Sequence, residues 1–179
     1  MKEFQELAAL IADRNRIDES ICRLIGRPAI TGHIGEFIAS RVFDIQLEVS
    51  AAHKAWDGRF RSGPLAGRTV DIKFYGKQEG ILDIAEDEQP DYFLVLTGPV
   101  AAASSSRGGT RPMTIEHVYL FDGEALAADI IRRDTRFGVA ASIPGSQWER
   151  AEIFPNAENR DLPVTRQQRD LLALFSPYT

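Results

Sequence analysis

The sequence predicts an α/β protein in which a mixed central sheet is flanked by helices, with further helices at both ends of the chain. Two stretches indicate the sheet. Residues 69–75 alternate strictly between apolar and polar side chains, as a half-buried strand does. Residues 91–96 are almost continuously apolar, which is typical of a central strand covered on both faces. Apolar residues at helical spacing near both termini indicate the flanking helices.

The size and composition of the chain fit a single domain. Its 179 residues, 44% of them hydrophobic, can bury a substantial core. We divide it into a helical N-terminal elaboration (1–30), a core (31–125) and a C-terminal elaboration of helix and strand (126–179). No apolar run approaches the roughly 18 residues that span a bilayer, and the first residues are acidic, unlike a signal peptide. We therefore expect a cytoplasmic protein with no membrane partner.

The N-terminal third has the pattern of three helices. Residues 4–13 form an amphipathic helix that we expect Asn15 and Arg16 to break. Asp18 is then the N-cap of a second short helix, which Gly26 ends. A third helix runs from about residue 31 to 43.

These helices leave one alternative open. Residues 18–43 superficially resemble a helix-turn-helix, the fold of a DNA-binding regulator. Their joint is longer than the usual three or four residues, and the last helix is too apolar to face a DNA groove. Such a regulator would lose DNA binding on changes at Thr31 or His33 but not at Lys73.

The remaining elements follow from alternation, apolar runs and capping signals. Strands are predicted at 45–49, 56–60, 69–75, 91–96 and 115–121, with a last strand within 148–154. A helix is expected from about residue 124 to 132. Thr165 and Gln168 form a capping box that opens a C-terminal helix.

Several polar residues are placed where they can converge. Asp71 and Lys73 are two apart on a strand and therefore share a face. A hairpin through the glycine-containing residues 63–67 would bring Asp57 to them. Glu36 lies in an apolar helical stretch, where an acidic side chain needs a partner or a function.

Together these residues resemble the PD-(D/E)XK superfamily of restriction-endonuclease-like nucleases, in the order helix, strand, hairpin, strand over residues 31–96. The resemblance implies a restriction-endonuclease-like fold with a nuclease-like core. It also implies that Glu36 supports the site, that Asp57 and Asp71 hold a divalent metal, and that Lys73 activates or positions the attacking water. One departure is Trp56, which stands where the superfamily usually has Pro. Segments such as residues 32–36 and 63–68 also resemble an uncharacterised bacterial family, which implies no activity.

The chemistry of these residue types agrees with the resemblance. Phosphodiester hydrolysis needs hard oxygen ligands for Mg²⁺ or Mn²⁺ and a group that stabilises or generates hydroxide. Asp57, Asp71 and Lys73 supply that minimum. The predicted function is metal-dependent endonuclease-like hydrolysis of nucleic acid, with DNA expected as the substrate. A single Cys and three His give no zinc pattern.

Each of these residues also has a structural explanation. Asp71 and Lys73 are compatible with the solvent face of an amphipathic strand. Asp57 and Gly58 form the commonest two-residue hairpin turn. Glu36 would pair with Arg41 or Lys73. A non-catalytic nucleic-acid-binding module on the same fold therefore stays an alternative.

Substrate contacts are predicted from basic residues near the hairpin and in a small-residue loop. His33 is a candidate base or substrate contact, although a lone His near a helix start is usually structural. The other candidates would form a basic rim against the phosphate backbone: Arg59, Arg61, Arg68, Lys77 and Arg107. The net charge of -5 argues mildly against sequence-blind nucleic-acid binding. A homodimer is also compatible with the sequence.

Overall fold

The computed structural model describes residues 1–48, 56–86, 89–101 and 112–177. Its helices are α1 (Lys2–Ile25), α2 (Thr31–Val42), α3 (Gly123–Arg132), α4 (Gly145–Ala151) and α5 (Arg166–Ala173). Its strands are β1 (Ile45–Leu47), β2 (Gly58–Phe60), β3 (Thr69–Tyr75), β4 (Ile81–Ile84), β5 (Tyr92–Thr97), β6 (His117–Asp122), β7 (Gly138–Ser142) and β8 (Glu152–Phe154).

The central sheet has six strands in the order β1-β2-β3-β5-β6-β8. Only β3 and β5 run parallel, and the other neighbouring pairs are antiparallel. Every residue of β5 is buried, and the strand lies between β3 and β6. The prediction of a central strand next to residues 69–75 is therefore confirmed, as is the mixed α/β architecture.

The crossover from β3 to β5 passes through β4, which pairs with β7 in a separate two-stranded sheet. Parallel neighbouring strands need such a long connection, because a tight turn reverses the direction of the chain and can join only antiparallel strands. We did not predict β4, β7 or α4 from the sequence. Strand β7 contains mostly small, exposed residues, so its pattern carries no strand signal.

The central sheet separates two apolar cores. Val70, Ile72 and Phe74 of β3 belong to the core on the α2 side. Phe93 and Val95 of β5 belong to the core on the other side, which includes residues of α3 and α4. Side chains alternate along a strand, so Asp71 and Lys73 point away from the α2 side. This placement decides which residues can reach the candidate site.

Helix α2 packs closely on β3 through a glycine. A Cβ at Gly35 would lie 2.6 Å from the Cβ of Phe74, so only glycine allows this approach. Ile38, Ala39 and Val42 bury the same face. The inward face of α2 therefore packs against the sheet, and the five-residue joint from Gly26 to Ile30 does not favour a helix-turn-helix.

The predicted break at Asn15 and Arg16 is wrong, because α1 is one continuous helix. Arg16 forms an ion pair with Asp13 within the helix. Asp18 lies in the interior of α1, where it forms an ion pair with Arg14, and is not an N-cap. Such pairs three or four apart offset the modest helix propensity of Asn. The predicted end at Gly26 is confirmed, since its φ of 73° is left-handed.

The C-terminal predictions are largely confirmed. Thr165 and Gln168 form the predicted capping box at the start of α5. Strand β8 lies within the predicted range of residues 148–154 and joins the central sheet beside β6. Among the described ranges, no helix combines the length and apolar character needed to cross a bilayer.

Candidate active site

Strands β2 and β3 form the hairpin that brings Asp57 to Asp71. The chain reverses through Gly63 and Gly67, whose φ angles of 78° and 84° favour glycine. Gly58 pairs with Val70 and Arg59 with Thr69, so Asp57 lies next to Asp71 at the point where this pairing ends. The predicted convergence of the hairpin is confirmed.

The alternative that Asp57 and Gly58 form a hairpin turn is wrong, because Gly58 begins β2 and pairs with Leu47 of β1. A Cβ at Gly58 would lie 2.5 Å from the backbone oxygen of Gln46. The glycine is required because β1 approaches the backbone closely at this position. Asp57 is held at the beginning of a strand instead of in a flexible turn.

Two short hydrogen bonds orient the site. Oδ2 of Asp57 accepts from the backbone N-H of Ile72 at 2.7 Å, which anchors this carboxylate to β3. Nζ of Lys73 lies 2.9 Å from Oδ2 of Asp71, as predicted for residues that share a strand face. The side chains of Lys73 and Asp71 are only 26% and 16% exposed, so both charges are partly removed from water.

The electrostatics of Asp71 are unusual. Burial raises its pKa, Lys73 opposes that effect, and the Asp57 carboxyl, within hydrogen-bonding reach, adds to it, so that the net pKa is about 7. Near neutral pH, Asp71 therefore holds a proton about half of the time. Two carboxyl groups that compete for one ammonium and one proton are poised to bind a cation or to transfer a proton.

The donor set fits a hard divalent cation. Mg²⁺ is commonly held by one or two carboxylates with waters completing its coordination, and Asp57 and Asp71 provide two. In the ranges that the structure describes, no three His, Cys, Asp or Glu side chains cluster as a metal-binding group. A metal at this site would therefore rely on the two aspartates and on water.

Glu36 is not part of this pair of carboxylates. Its side chain is 12% exposed and forms an ion pair with Arg27, which is 34% exposed. The partner is thus neither Arg41 nor Lys73, the two that we considered from the sequence. Glu36 lies on α2, which packs on the opposite face of β3 from Asp71 and Lys73. Its geometry supports a structural role that fixes the chain before α2.

His33 also has a structural contact. Its Nδ1 lies 2.9 Å from the carbonyl oxygen of Pro28, in the segment that precedes α2. This contact matches the structural interpretation of a His at a helix start. His33 lies on α2, between Arg27 and Glu36 in the sequence, whereas Asp71 lies on β3.

Three predicted rim residues are engaged within the protein. Arg61 binds the Asp44 carboxylate, with its Nε 2.8 Å from Oδ1. Arg68 lies 2.9 Å from the carboxylate of Asp91. Arg59 stacks over the ring of Trp56, with its guanidinium carbon 5.5 Å from the ring centroid.

The pairing of Arg68 belongs to a junction between β3 and β5. Asp91 accepts from the backbone N-H of Thr69 at 2.7 Å and from its hydroxyl at 2.8 Å. Although burial opposes them, these hydrogen bonds and Arg68 lower the pKa of Asp91. Asp91 therefore holds the start of the parallel pair, and Arg68 contributes to that junction.

Of the two remaining predicted substrate contacts, the structure describes Lys77. Lys77 is half-buried just after β3 and forms no ion pair among the described residues. Arg107 lies outside the described residues. Of the predicted rim, Lys77 and the stacked Arg59 are the cations closest in sequence to the two ends of the hairpin.

Sequence reasoning assigned no role to Tyr75, the third polar residue on this face of β3. Its hydroxyl accepts from the backbone N-H of Asp83 at 3.0 Å. Burial raises the pKa of Tyr75, with smaller contributions from Asp83 and Asp71, so the hydroxyl stays protonated. Tyr75 thereby ties the site strand to β4. The strict alternation of residues 69–75 already indicated that Tyr75 faces the same side as Asp71.

The site must be interpreted from its own geometry. No protein-family model and no curated protein sequence matches this chain.

Proposed function

We propose that the protein is a metal-dependent nuclease that hydrolyses phosphodiester bonds at the site formed by Asp57, Asp71 and Lys73. The observation that carries this proposal is the meeting of two carboxylates and one ammonium, with the pKa of Asp71 raised to about 7. Metal-dependent phosphodiester hydrolysis uses a cation site, and a positively charged side chain beside it can stabilise the charge that develops on the reacting phosphate. This arrangement supplies both.

In this proposal, Asp57 and Asp71 hold the metal. The bond from the N-H of Ile72 fixes the Asp57 carboxylate before any metal binds, which lowers the cost of ordering the site. Asp71 would hold the metal as the ionised carboxylate, because a divalent cation stabilises that form over the protonated one. The bound Mg²⁺ or Mn²⁺ would supply Lewis-acid stabilisation of a phosphate oxygen and lower the pKa of a bound water.

Lys73 has the second function. Its ammonium lies 2.9 Å from the Asp71 carboxylate and is therefore held beside the carboxylate pair. In that position it can donate a hydrogen bond to a phosphate oxygen or to the attacking water as negative charge develops. Removal of one such preorganised donor commonly lowers the rate by about a hundredfold or more.

Nucleic acid is the expected substrate class, and DNA is the first to test. Arg59 is kept near the start of the hairpin by stacking on Trp56, and a stacked guanidinium retains donors for a phosphate. Lys77 follows the site strand. Glu36 is proposed to act indirectly, by holding the approach to α2 through Arg27.

The experiment is a cleavage assay on single- and double-stranded DNA and RNA with Mg²⁺ or Mn²⁺. Wild type is compared with Lys73→Ala, and with Lys2→Ala as a matched control for loss of a lysine in exposed α1. We expect Lys73→Ala to keep its fold and most of its affinity for nucleic acid, while its cleavage rate falls at least about a hundredfold. Lys2→Ala should cleave like wild type.

Two outcomes would reject the proposal. Equal cleavage by wild type and Lys73→Ala would place the activity at another site or in a contaminant. If wild type binds nucleic acid but cleaves none of the substrates with either metal, the site is that of a non-catalytic binding module.

A further inference from the structure

Helix α1 exposes an apolar stripe that the described parts of the chain do not bury. No residue of α1 is buried, and every residue from Lys2 to Ile17 is exposed. The large apolar side chains of the stripe are 50% to 76% exposed: Phe4, Leu7, Leu10, Ile11, Ile17 and Leu24. An isolated helix gains little stability in water without packing, so the exposed part of α1, from Lys2 to Ile17, needs a covering surface.

The stripe follows a heptad pattern over the length of α1. The seven-residue spacing places Leu7, Ile11, Ile21 and Ile25 at the two positions that face a partner helix. Leu10, Ile17 and Leu24, each seven residues apart, flank these positions along one side. The remaining faces of the helix carry charged, polar or alanine side chains. This pattern is typical of a helix that pairs with another helix.

Two charged residues interrupt the row of apolar residues at these two positions, which we call the seam. Their opposite signs favour one orientation of the partner helix. Arg14 and Asp18 occupy the central seam positions, with Nε of Arg14 3.5 Å from Oδ2 of Asp18 and side chains 81% and 40% exposed. A parallel copy would place each charge against itself. An antiparallel copy centred at Arg16 places Arg14 against Asp18, twice. The same register places Leu7 on Ile25 and Ile11 on Ile21.

The base of α1 offers room for the partner. Ile21, Leu24 and Ile25 border an apolar groove of about 390 Å³, which Phe37 of α2 and Phe175 also line. In the antiparallel register, Leu7 of the second copy lies against Ile25 at this groove. Within the residues that the structure describes, the body of the protein borders the C-terminal part of its own α1 at this groove. Antiparallel pairing therefore places the bodies of the two copies at opposite ends of the helix pair.

We propose that α1 is a homodimerisation helix that pairs antiparallel with α1 of a second copy through the Arg14 and Asp18 seam. The proposal does not depend on the proposed nuclease site. Charged residues within an apolar seam fix register and orientation, because the antiparallel alignment places each charge against an opposite charge of the second copy, whereas a parallel alignment places like charges together. The self-complementary charges favour a second copy over an unrelated partner.

The test measures the mass of the full chain by sedimentation equilibrium at about 50 µM. We expect wild type to have twice the 19.9 kDa chain mass. Arg14→Asp makes both seam charges negative, and Asp18→Arg makes both positive. Each variant alone should dimerise at least about a hundredfold more weakly, because like charges then face each other. An equimolar mixture of the two should regain the dimer.

Orientation is tested by oxidation of two single-cysteine chains in a Cys22→Ser background. One carries Leu7→Cys and the other Ile25→Cys. The antiparallel register predicts a disulfide only in the mixture, because each new Cys faces position 25 or 7 of the partner. Disulfides within either chain type alone would indicate a parallel pair and overturn the proposed arrangement.

Three other outcomes would overturn the proposal. The first is a wild type that is monomeric at 50 µM. The second is dimerisation of the charge variants as strong as that of wild type. The third is a monomeric wild type that binds phosphatidylglycerol vesicles through the apolar stripe. Circular dichroism and the melting temperature of each charge variant verify the fold. The circular dichroism spectrum should show a folded protein, since Arg14 lies on the exposed part of α1, while the melting temperature should fall with loss of the dimer and recover in the equimolar mixture.

Discussion

Replacement of Asp71 by Asn should stabilise the protein above neutral pH. Folding raises the pKa of Asp71 from 3.8 to about 7, so the folded state holds this proton more tightly than the unfolded state. Wild type is then most stable relative to the variant at low pH, and it loses that advantage as the pH rises from about 4 to 7. A shift of about three pKa units corresponds to about 4 kcal/mol over the whole range.

The assay is urea unfolding of wild type and Asp71→Asn from pH 5 to pH 8.5. Over this window, wild type should lose about 3 kcal/mol of its free energy of unfolding relative to the variant. Asp161→Asn, at an exposed position, is the matched control and should follow wild type at every pH. Parallel curves for wild type and Asp71→Asn would show that Asp71 titrates normally and would refute the reasoning.

Three further predictions concern the site and its supports. Mn²⁺ at about one hundred times its dissociation constant should add about 2.7 kcal/mol to the free energy of unfolding of wild type and raise its melting temperature by several degrees. It should have little effect on Asp57→Asn, and equal shifts in the melting temperatures of the two proteins would exclude the site. Glu36→Gln should lower the free energy of unfolding by about 2 kcal/mol, and a double-mutant cycle with Arg27→Gln should show strong coupling; additive effects would mean that the ion pair contributes nothing. Gly58→Ala should cost about 1 to 3 kcal/mol in urea unfolding, because its Cβ would lie 2.5 Å from the Gln46 oxygen; wild-type stability would contradict this close approach.

The sequence predicts the central strands well because their signals are local and strong. Strict alternation defines β3 at Thr69–Tyr75, and the apolar run at residues 91–96 gives the buried strand β5 within one residue. The contact of Lys73 with Asp71 follows from the same two-residue period. These predictions need no knowledge of the rest of the fold.

The errors arise where distant parts of the chain decide the outcome. The partner of Glu36 is Arg27, which a sequence pattern does not distinguish from Arg41 or Lys73. Arg61 and Arg68, which stay predicted substrate contacts, form ion pairs with Asp44 and Asp91 that the sequence did not indicate. Strand β7 forms because β4 pairs with it, although its own residues are small. In β7, tertiary pairing overrides local propensity.

Cation binding by the two aspartates is tested most directly by calorimetric titration of Mn²⁺ at pH 6 and pH 8, in buffers of different ionisation enthalpy. Asp71, with a pKa of about 7, holds its proton more fully at pH 6 than at pH 8, and a bound metal would displace that proton. We predict one Mn²⁺ per chain, with a release of protons that is larger at pH 6 than at pH 8 and is absent in Asp71→Asn. The absence of Mn²⁺ binding to wild type, or equal binding and proton release in Asp71→Asn, would contradict the proposed metal site.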